Sequence, residues 1–256
     1  MRIVVKVGTS TLAYPTGMLN IRHMEKLCKV LSDVKNAGHE VILVSSGAIC
    51  MGMGKLQLRE RPSAVPDKQA AAAVGQCELM YTYDKLFGEY NHTVAQILLN
   101  GSDVRDDIRR ENFTNTLGRL LEMRALPVIN ENDTVGTDEF SIGDNDTLSA
   151  IVASHIEADL LVLLSDIDGL YTSNPREDKE ARLVPEVREL TEEILASAGG
   201  SGSTVGTGGM RTKLHAADIV MKAGCDMVIA NGEDPAIIYD IMEGKSVGTR
   251  FIAARI

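Results

Sequence analysis

The stretch Met1-Arg-Ile-Val-Val-Lys-Val-Gly-Thr-Ser10 sets the architecture. Ile3, Val4, Val5 and Val7 form a short β-branched run that stops at Gly8. Such a run predicts a strand buried on both faces, as in a parallel sheet. Lys6 interrupts it. A buried ammonium without a partner is costly, so the lysine is expected at the carboxyl end of the strand, turned toward an anion. Gly8 lets backbone approach that anion, and Thr9 and Ser10 add hydroxyl donors. The plain alternative is an edge-strand lysine reaching into water.

Working outward, Ile21, Met24, Leu27, Cys28, Leu31 and Val34 recur at helical spacing, and Gly38 follows as a helix stop. Glu40-Val-Ile-Leu-Val-Ser45 is a second buried strand that runs through Ser46-Gly47 into a helix. Strand, helix, strand is the rhythm of a parallel α/β sheet. Ligands of such sheets bind beyond the carboxyl ends of the strands, where Ser45, Ser46 and Gly47 fall beside Thr9 and Ser10. Residues 55–68, with Pro62 and Pro66, read as a loop, and a helix runs from Gln69 to about Phe87. Further strands are predicted at Thr93–Leu99, Leu126–Asn130, Ala158–Leu164, Met227–Ala230 and Val247–Ala253. Gly101–Glu111 reads as a polar segment, followed by a helix near Phe113–Arg124 capped by Asn112. Residues 174–190 are assigned to the surface, Thr191–Ser197 to a short helix and Pro235–Met242 to another.

Two stretches stand out chemically. Nine of the seventeen residues from Asn130 to Asp146 are Asn, Asp or Glu. One of Asp144, Asn145 and Asp146 is expected to cap the helix that opens there, but caps alone do not account for so many. The second stretch is Gly199–Gly209, with six glycines, which leads into Met210-Arg-Thr-Lys213 and an apolar helix. A glycine loop entering a helix N-terminus presents free amides and a positive dipole end, a cradle for phosphate. It is neither a GxxxxGK[ST] loop nor a GxGxxG fingerprint. Lys213 in the first turn opposes the helix dipole, which makes sense if a polyphosphate lies between them. A flexible surface loop with a solvated lysine is the alternative. Lys6 and Lys213, at opposite ends of the chain, are suited to bracket a transferred phosphoryl group together and to neutralise its oxygens.

Composition sets the frame. The chain has 256 residues, 44% hydrophobic and 24% charged, with no Trp, as in an ordinary globular protein. The formal net charge of -10 and the lack of a basic patch argue against nucleic-acid and membrane-surface roles. Cys28, Cys50, Cys77 and Cys225 form no CxxC pair, and the His residues show no metal-ligand spacing, so no protein-held metal is expected. Reduced thiols and the lack of an apolar leader or membrane span point to a cytoplasmic protein.

Val5-Lys-Val-Gly-Thr-Ser10, Val44-Ser-Ser-Gly-Ala-Ile49, Asn130-Glu-Asn-Asp-Thr-Val135, Gly143-Asp-Asn-Asp146, Leu164-Ser-Asp-Ile-Asp-Gly-Leu-Tyr171 and Thr207-Gly-Gly-Met-Arg-Thr-Lys213 together resemble the motifs of the amino acid kinase family, in order along essentially the whole chain. The resemblance implies a three-layer αβα sandwich with a largely parallel central sheet, a single domain over 1–256. Residues to about 157 would form a substrate-binding lobe, and those from about 158 a nucleotide-binding lobe. It implies ATP-dependent phosphorylation of the side-chain carboxylate of L-glutamate, the first step toward proline, with Mg²⁺ as a further cofactor. Lys6, Lys213 and Asp146 would be catalytic, the aspartate orienting the lysines. Ser46, Asp133 and Asn145 would contact glutamate, with Gly47 and Asn130 assisting. Ser165, Asp166, Thr207, Gly208, Gly209, Met210, Arg211, Thr212 and Lys213 would contact the nucleotide, as would Lys6. A homo-oligomer and feedback inhibition by proline are further implications, the latter sought at residues 55–68. Many of the members that phosphorylate glutamate continue into a small PUA domain, whereas this sequence stops at Ile256.

That reaction matches what the sequence lacks. A glutamate carboxylate is ionised at pH 7 and needs no general base, and no His–Asp pair offers one. Another family kinase acting on a different small carboxylate or phosphate is the nearest alternative. A non-catalytic amino-acid sensor on the same scaffold is the more distant one.

Overall fold

The computed structural model describes residues 1–14, 16–136, 142–175, 177–197 and 209–254. Its strands are β1 (Arg2–Val7), β2 (Glu40–Ser45), β3 (Val94–Leu99), β4 (Leu126–Glu131), β5 (Leu160–Ser165), β6 (Glu186–Val187), β7 (Asp226–Asn231) and β8 (Thr249–Phe251). Among the described residues they form one eight-stranded sheet in the order β3-β4-β2-β1-β5-β7-β8-β6. Pairings from β3 to β7 are all parallel, and β8 alone runs antiparallel to β7. The chain builds outward from β1 to one side through β4, then returns to place β5 on the other flank. The crevice between β1 and β5 is thus the switch point where open α/β sheets bind ligands.

The helices are α1 (Thr9–Leu12), α2 (Ile21–Asn36), α3 (Ala48–Lys55), α4 (Val65–Gly88), α5 (Gly101–Arg105), α6 (Asp107–Glu122), α7 (Asn145–His155), α8 (Glu192–Ser197), α9 (Met210–Lys222) and α10 (Ile237–Met242). Strand alternation splits the core into two layers. Ile3, Val5 and Val7 face Met24, Leu27 and Leu31 of α2, Leu79, Tyr83 and Phe87 of α4, and Ile238 of α10. Val4 faces the opposite layer with Ile42, Val44, Leu148 of α7 and Leu214 of α9. The result is an αβα sandwich, with β1 and β5 nearly solvent-free at its centre.

Three local expectations are corrected. The stretch 55–68 is not all loop, because α4 begins at Val65. Pro66 sits in its first turn, where the missing N–H would have had no helical partner anyway. The cap of α6 is Asp106, whose side chain accepts from the Arg109 amide at 2.9 Å, so Asn112 lies inside the helix. The preceding segment is already helical as α5, with Asp103 accepting from the Asn100 amide. Finally, residues 174–190 contain β6, which pairs with β8 and buries Val187.

Candidate active site

Lys6 lies one residue before the end of β1 and, by alternation, on the same face as Val4. That face is covered by α7 and α9, which pack on each other. Asp146 in the first turn of α7 meets the lysine there. The Lys6 ammonium is 2.7 Å from Asp146 Oδ1, and the Lys213 ammonium of α9 is 3.0 Å from Oδ2. Thr212 Oγ1 lies 2.9 Å from the same Oδ2 and 2.8 Å from the Gly209 carbonyl, and its proton serves one acceptor or the other. The Lys213 contact is a directed hydrogen bond. Lys6 meets Oδ1 as a close ion pair. The side chains of Asp146, Lys213 and Lys6 are 1%, 6% and 12% exposed. Burial alone would raise the Asp146 carboxyl, but the two ammoniums outweigh it and hold it at about 2. Two cations over one anion leave this trio with one positive charge, buried at the switch point.

Backbone adds to that potential. Helices α1, α3 and α9 start at Gly8, Gly47 and Gly209, and none of these caps receives a side-chain hydrogen bond. Gly47 has φ +105°, a conformation costly for any other residue. Glycine caps of this kind supply no side-chain acceptor of their own, so the first amides of α3 and α9 suit an external one. Helix α7 differs: Asp144 accepts from the Thr147 amide and hydroxyl at 2.8 and 2.9 Å. Asp144 is the cap, which leaves Asn145 and Asp146 for other work.

A cavity of about 610 Å³ opens beside the trio, between the ends of β1, β2 and β4 and reaching Asp166 beyond β5. Its lining mixes donors and acceptors: Thr9, Ser10, Ser46, Gly47 and Ala48 contribute, as do Glu131, Asp133, Asp144 and Asn145. Burial and the neighbouring Glu131 carboxylate push the Asp133 carboxyl up to about 6, against the opposing pull of Arg61. Asn145 Nδ2 donates to Ser46 Oγ at 2.8 Å and to Asn130 Oδ1 at 3.0 Å.

Each residue singled out in the sequence can now be placed. Lys6, Thr212 and Lys213 converge on the Asp146 carboxylate. Ser46, Gly47, Asn130, Asp133, Asn145 and Asp166 line the cavity. Ser165 is buried and donates to Asp166 Oδ1 at 3.2 Å. Asn130 is 2% exposed, with both amide atoms committed to protein partners. Gly209 and Met210 are half-buried at the start of α9, and Arg211 is exposed. Thr207, Gly208 and most of the glycine tract lie outside the described residues, as do Phe140 and Ser141 of the polar turn. Residues not picked out beforehand also face the cavity: Glu131, and Arg59 and Arg61 from the segment before α4. The proline-flanked arginines were a usable signal, since basic residues in an acidic chain beside a strand end invite attention.

This fold and site define the class. The amino acid kinase family matches residues 1–231, and the chain belongs to that family. Among its relatives are the glutamate 5-kinase of Clostridium tetani, 53% identical and covering 99% of this chain and 95% of that protein. That of Listeria innocua is 55% identical over 99% of this chain and 94% of its own. Among solved structures, isopentenyl phosphate kinase of T. acidophilum superposes with a TM-score of 0.66 at 18% identity, over 98% of this chain and 100% of that one. UMP kinase of Bacillus anthracis gives 0.64 at 14%, over 99% and 96%. At such identities the structural likeness speaks for the fold alone.

Proposed function

We infer that the chain transfers the γ-phosphoryl group of ATP to the side-chain carboxylate of L-glutamate, forming an acyl phosphate and ADP. Full-length relatives named glutamate 5-kinase support this assignment. The structural observation that carries it is the single buried aspartate shared by Lys6 and Lys213 beside a cavity lined by both hydroxyl donors and carboxylate acceptors.

The acceptor is already an anion at pH 7, so proton removal is not the difficulty. Repulsion between carboxylate and triphosphate is. In the reaction a carboxylate oxygen bonds to the γ-phosphorus as the bond to the β–γ bridging oxygen breaks, and charge gathers on the equatorial and leaving oxygens. Lys6 and Lys213 supply fixed positive charge there, in a site with little water to screen it. Asp146 holds both ammoniums in place. The open amides at Gly47–Ala48 and at the start of α9 add donors without added charge. Also lining the cavity, Asp133 and the Asn145 side-chain oxygen suit the α-ammonium. The Ser46 hydroxyl accepts from Asn145 and so has its proton free for a carboxylate.

In this reading residues to about 157 hold glutamate, and those from about 158 hold ATP through Ser165, Asp166 and the 207–213 segment. Among the described residues no three His, Cys, Asp or Glu side chains converge as a metal cage. Mg²⁺ would therefore enter on the phosphates of ATP, where it supplies further charge neutralisation. The product would be the first intermediate on the way to proline. No described helix is long and apolar enough to cross a membrane.

The test is ADP release that depends on L-glutamate, paired with trapping of the product by hydroxylamine as a hydroxamate. Both signals are expected together. ADP release without a hydroxamate would reject a carboxylate acceptor.

A further inference from the structure

We propose that Gln76 is a positioning residue for amino-acid recognition, setting through Asn130 the orientation of the Asn145 amide that faces the substrate. The proposal rests on the glutamate-kinase assignment above. Gln76 lies on the buried face of α4, in line with Ala72, Leu79, Tyr83 and Phe87, and is itself only 8% exposed. A leucine would pack there at lower cost, because the Gln76 Nε2 is buried with no partner. The residue's other end explains its presence.

Gln76 Oε1 accepts from Asn130 Nδ2 at 3.0 Å. Two partners together, Gln76 and the Glu131 amide, hold Asn130 against a flip. The Glu131 main-chain N–H, which can only donate, points at Asn130 Oδ1 at 2.9 Å. With that oxygen identified, Asn130 Nδ2 needs an acceptor, and Gln76 provides it. Asn145 Nδ2 in turn donates to Asn130 Oδ1 and Ser46 Oγ, with the Ser45 carbonyl a longer acceptor at 3.3 Å. Asn145 therefore turns its oxygen to the cavity, and Ser46 keeps its proton for the same space. An ammonium needs that acceptor, and a carboxylate needs that donor. The polarity of the recognition site is thus held from α4 together with the end of β4.

The base of Gln76 is held firmly. A Cβ on the adjacent Gly75 would come within 1.7 Å of the Ala48 carbonyl, so α4 and the first turn of α3 touch through their backbones. One face further along, Tyr83 OH lies 2.8 Å from Ser45 Oγ. Both contacts tie α4 to the β2–α3 turn that carries Ser46 and Gly47.

The experiment is steady-state kinetics of purified wild type, Gln76→Leu and Gln76→Glu, with L-glutamate and ATP varied in turn. For Gln76→Leu the glutamate KM is expected to rise about 10-fold, with kcat and the ATP KM within about 2-fold of wild type. Glutarate, which lacks the ammonium, serves as competitor, and its inhibition constant should change far less than the glutamate KM. Gln76→Glu keeps an acceptor oxygen toward Asn130 and should recover most of the loss. Gln76→Met replaces the leucine variant if the latter does not fold. An unchanged glutamate KM, parallel losses for glutamate and ATP, or a glutamate variant no better than the apolar one would overturn the proposal. A wild-type enzyme inactive on glutamate would instead overturn the underlying assignment.

Discussion

Asp133 and Asp146 belong to one acid-rich stretch, thirteen residues apart, yet their surroundings drive them in opposite directions. Asp146 enters the first turn of α7 between two ammoniums and is held at about 2. Asp133 follows β4 beside Glu131 and is pushed up to about 6. Both are removed from water. The difference lies in what is removed with them: compensating cations in one case, a second carboxylate in the other. One region is therefore complete without ligand and carries surplus positive charge. The other is incomplete and gains from an incoming cation such as an α-ammonium.

The largest effect expected from this contrast is on turnover. Lys213→Ala and Lys6→Ala should each lower kcat by at least about 10²-fold, because charge on the phosphoryl oxygens loses a fixed partner. Near-normal turnover in either folded variant would remove that lysine from the chemistry. Next comes stability. Asp146→Asn leaves two buried ammoniums without their anion and should destabilise the fold by about 3 kcal/mol in denaturant titration at pH 7. Since the native carboxyl sits near 2, below its ordinary value of 3.8, its contribution is present above that ordinary value. It is lost as pH falls through about 2. A wild-type-like midpoint for Asp146→Asn would mean the ion trio is not holding the layers together.

A smaller effect concerns substrate affinity. Asp133→Asn should raise the glutamate KM by about 10-fold with kcat little changed. In wild type that KM should climb as pH falls through about 6, because the carboxyl takes up the proton that the ammonium contact must displace. The variant should show no such rise, and a persistent rise would place the titrating group elsewhere. The smallest effect has the opposite sign to that of Asp146. A folded-state value above the ordinary one favours the fold at low pH, fully so below 3.8, and that benefit is lost as pH rises through about 6. The two-unit gap corresponds to roughly 3 kcal/mol at most, reduced to about 1 by solvent at the cavity mouth. Asp133→Asn should therefore stabilise the protein by about 1 kcal/mol at pH 8 and by almost nothing near pH 4. Equal melting-point shifts at both pH values would contradict that.

Much of the architecture was legible because it depends on local pattern. The β-branched run around Lys6, the helical spacing from Ile21 to Val34 and the glycines after strand ends each state a local preference that packing then respects. Where two local readings were equally good, sequence did not choose. Asp106 and Asn112 are both competent caps, and the polar run between them tolerates either start. Pro66 ends a loop or opens a helix with the same restriction on φ. Two-residue β6 carries too little periodicity to be seen, and its partner β8 is distant in the chain. Among Asp144, Asn145 and Asp146, only the onset of α7 decides which residue caps and which two are released.

The chain by itself determined that an α/β sheet would form with a lysine near the end of its first strand, since hydrophobic periodicity is a property of neighbours. It also showed that a second lysine follows a glycine tract and that acids crowd after the fourth strand. Only the tertiary structure decided that both lysines share one carboxylate. Only it decided that Asp133 lies beside Glu131, and that a glutamine on α4 accepts a hydrogen bond from Asn130. Those outcomes depend on which faces of β1, β4, α4, α7 and α9 meet across the sheet. That is settled by three-dimensional packing and by the energy of charges removed from water together, neither of which a linear spacing encodes.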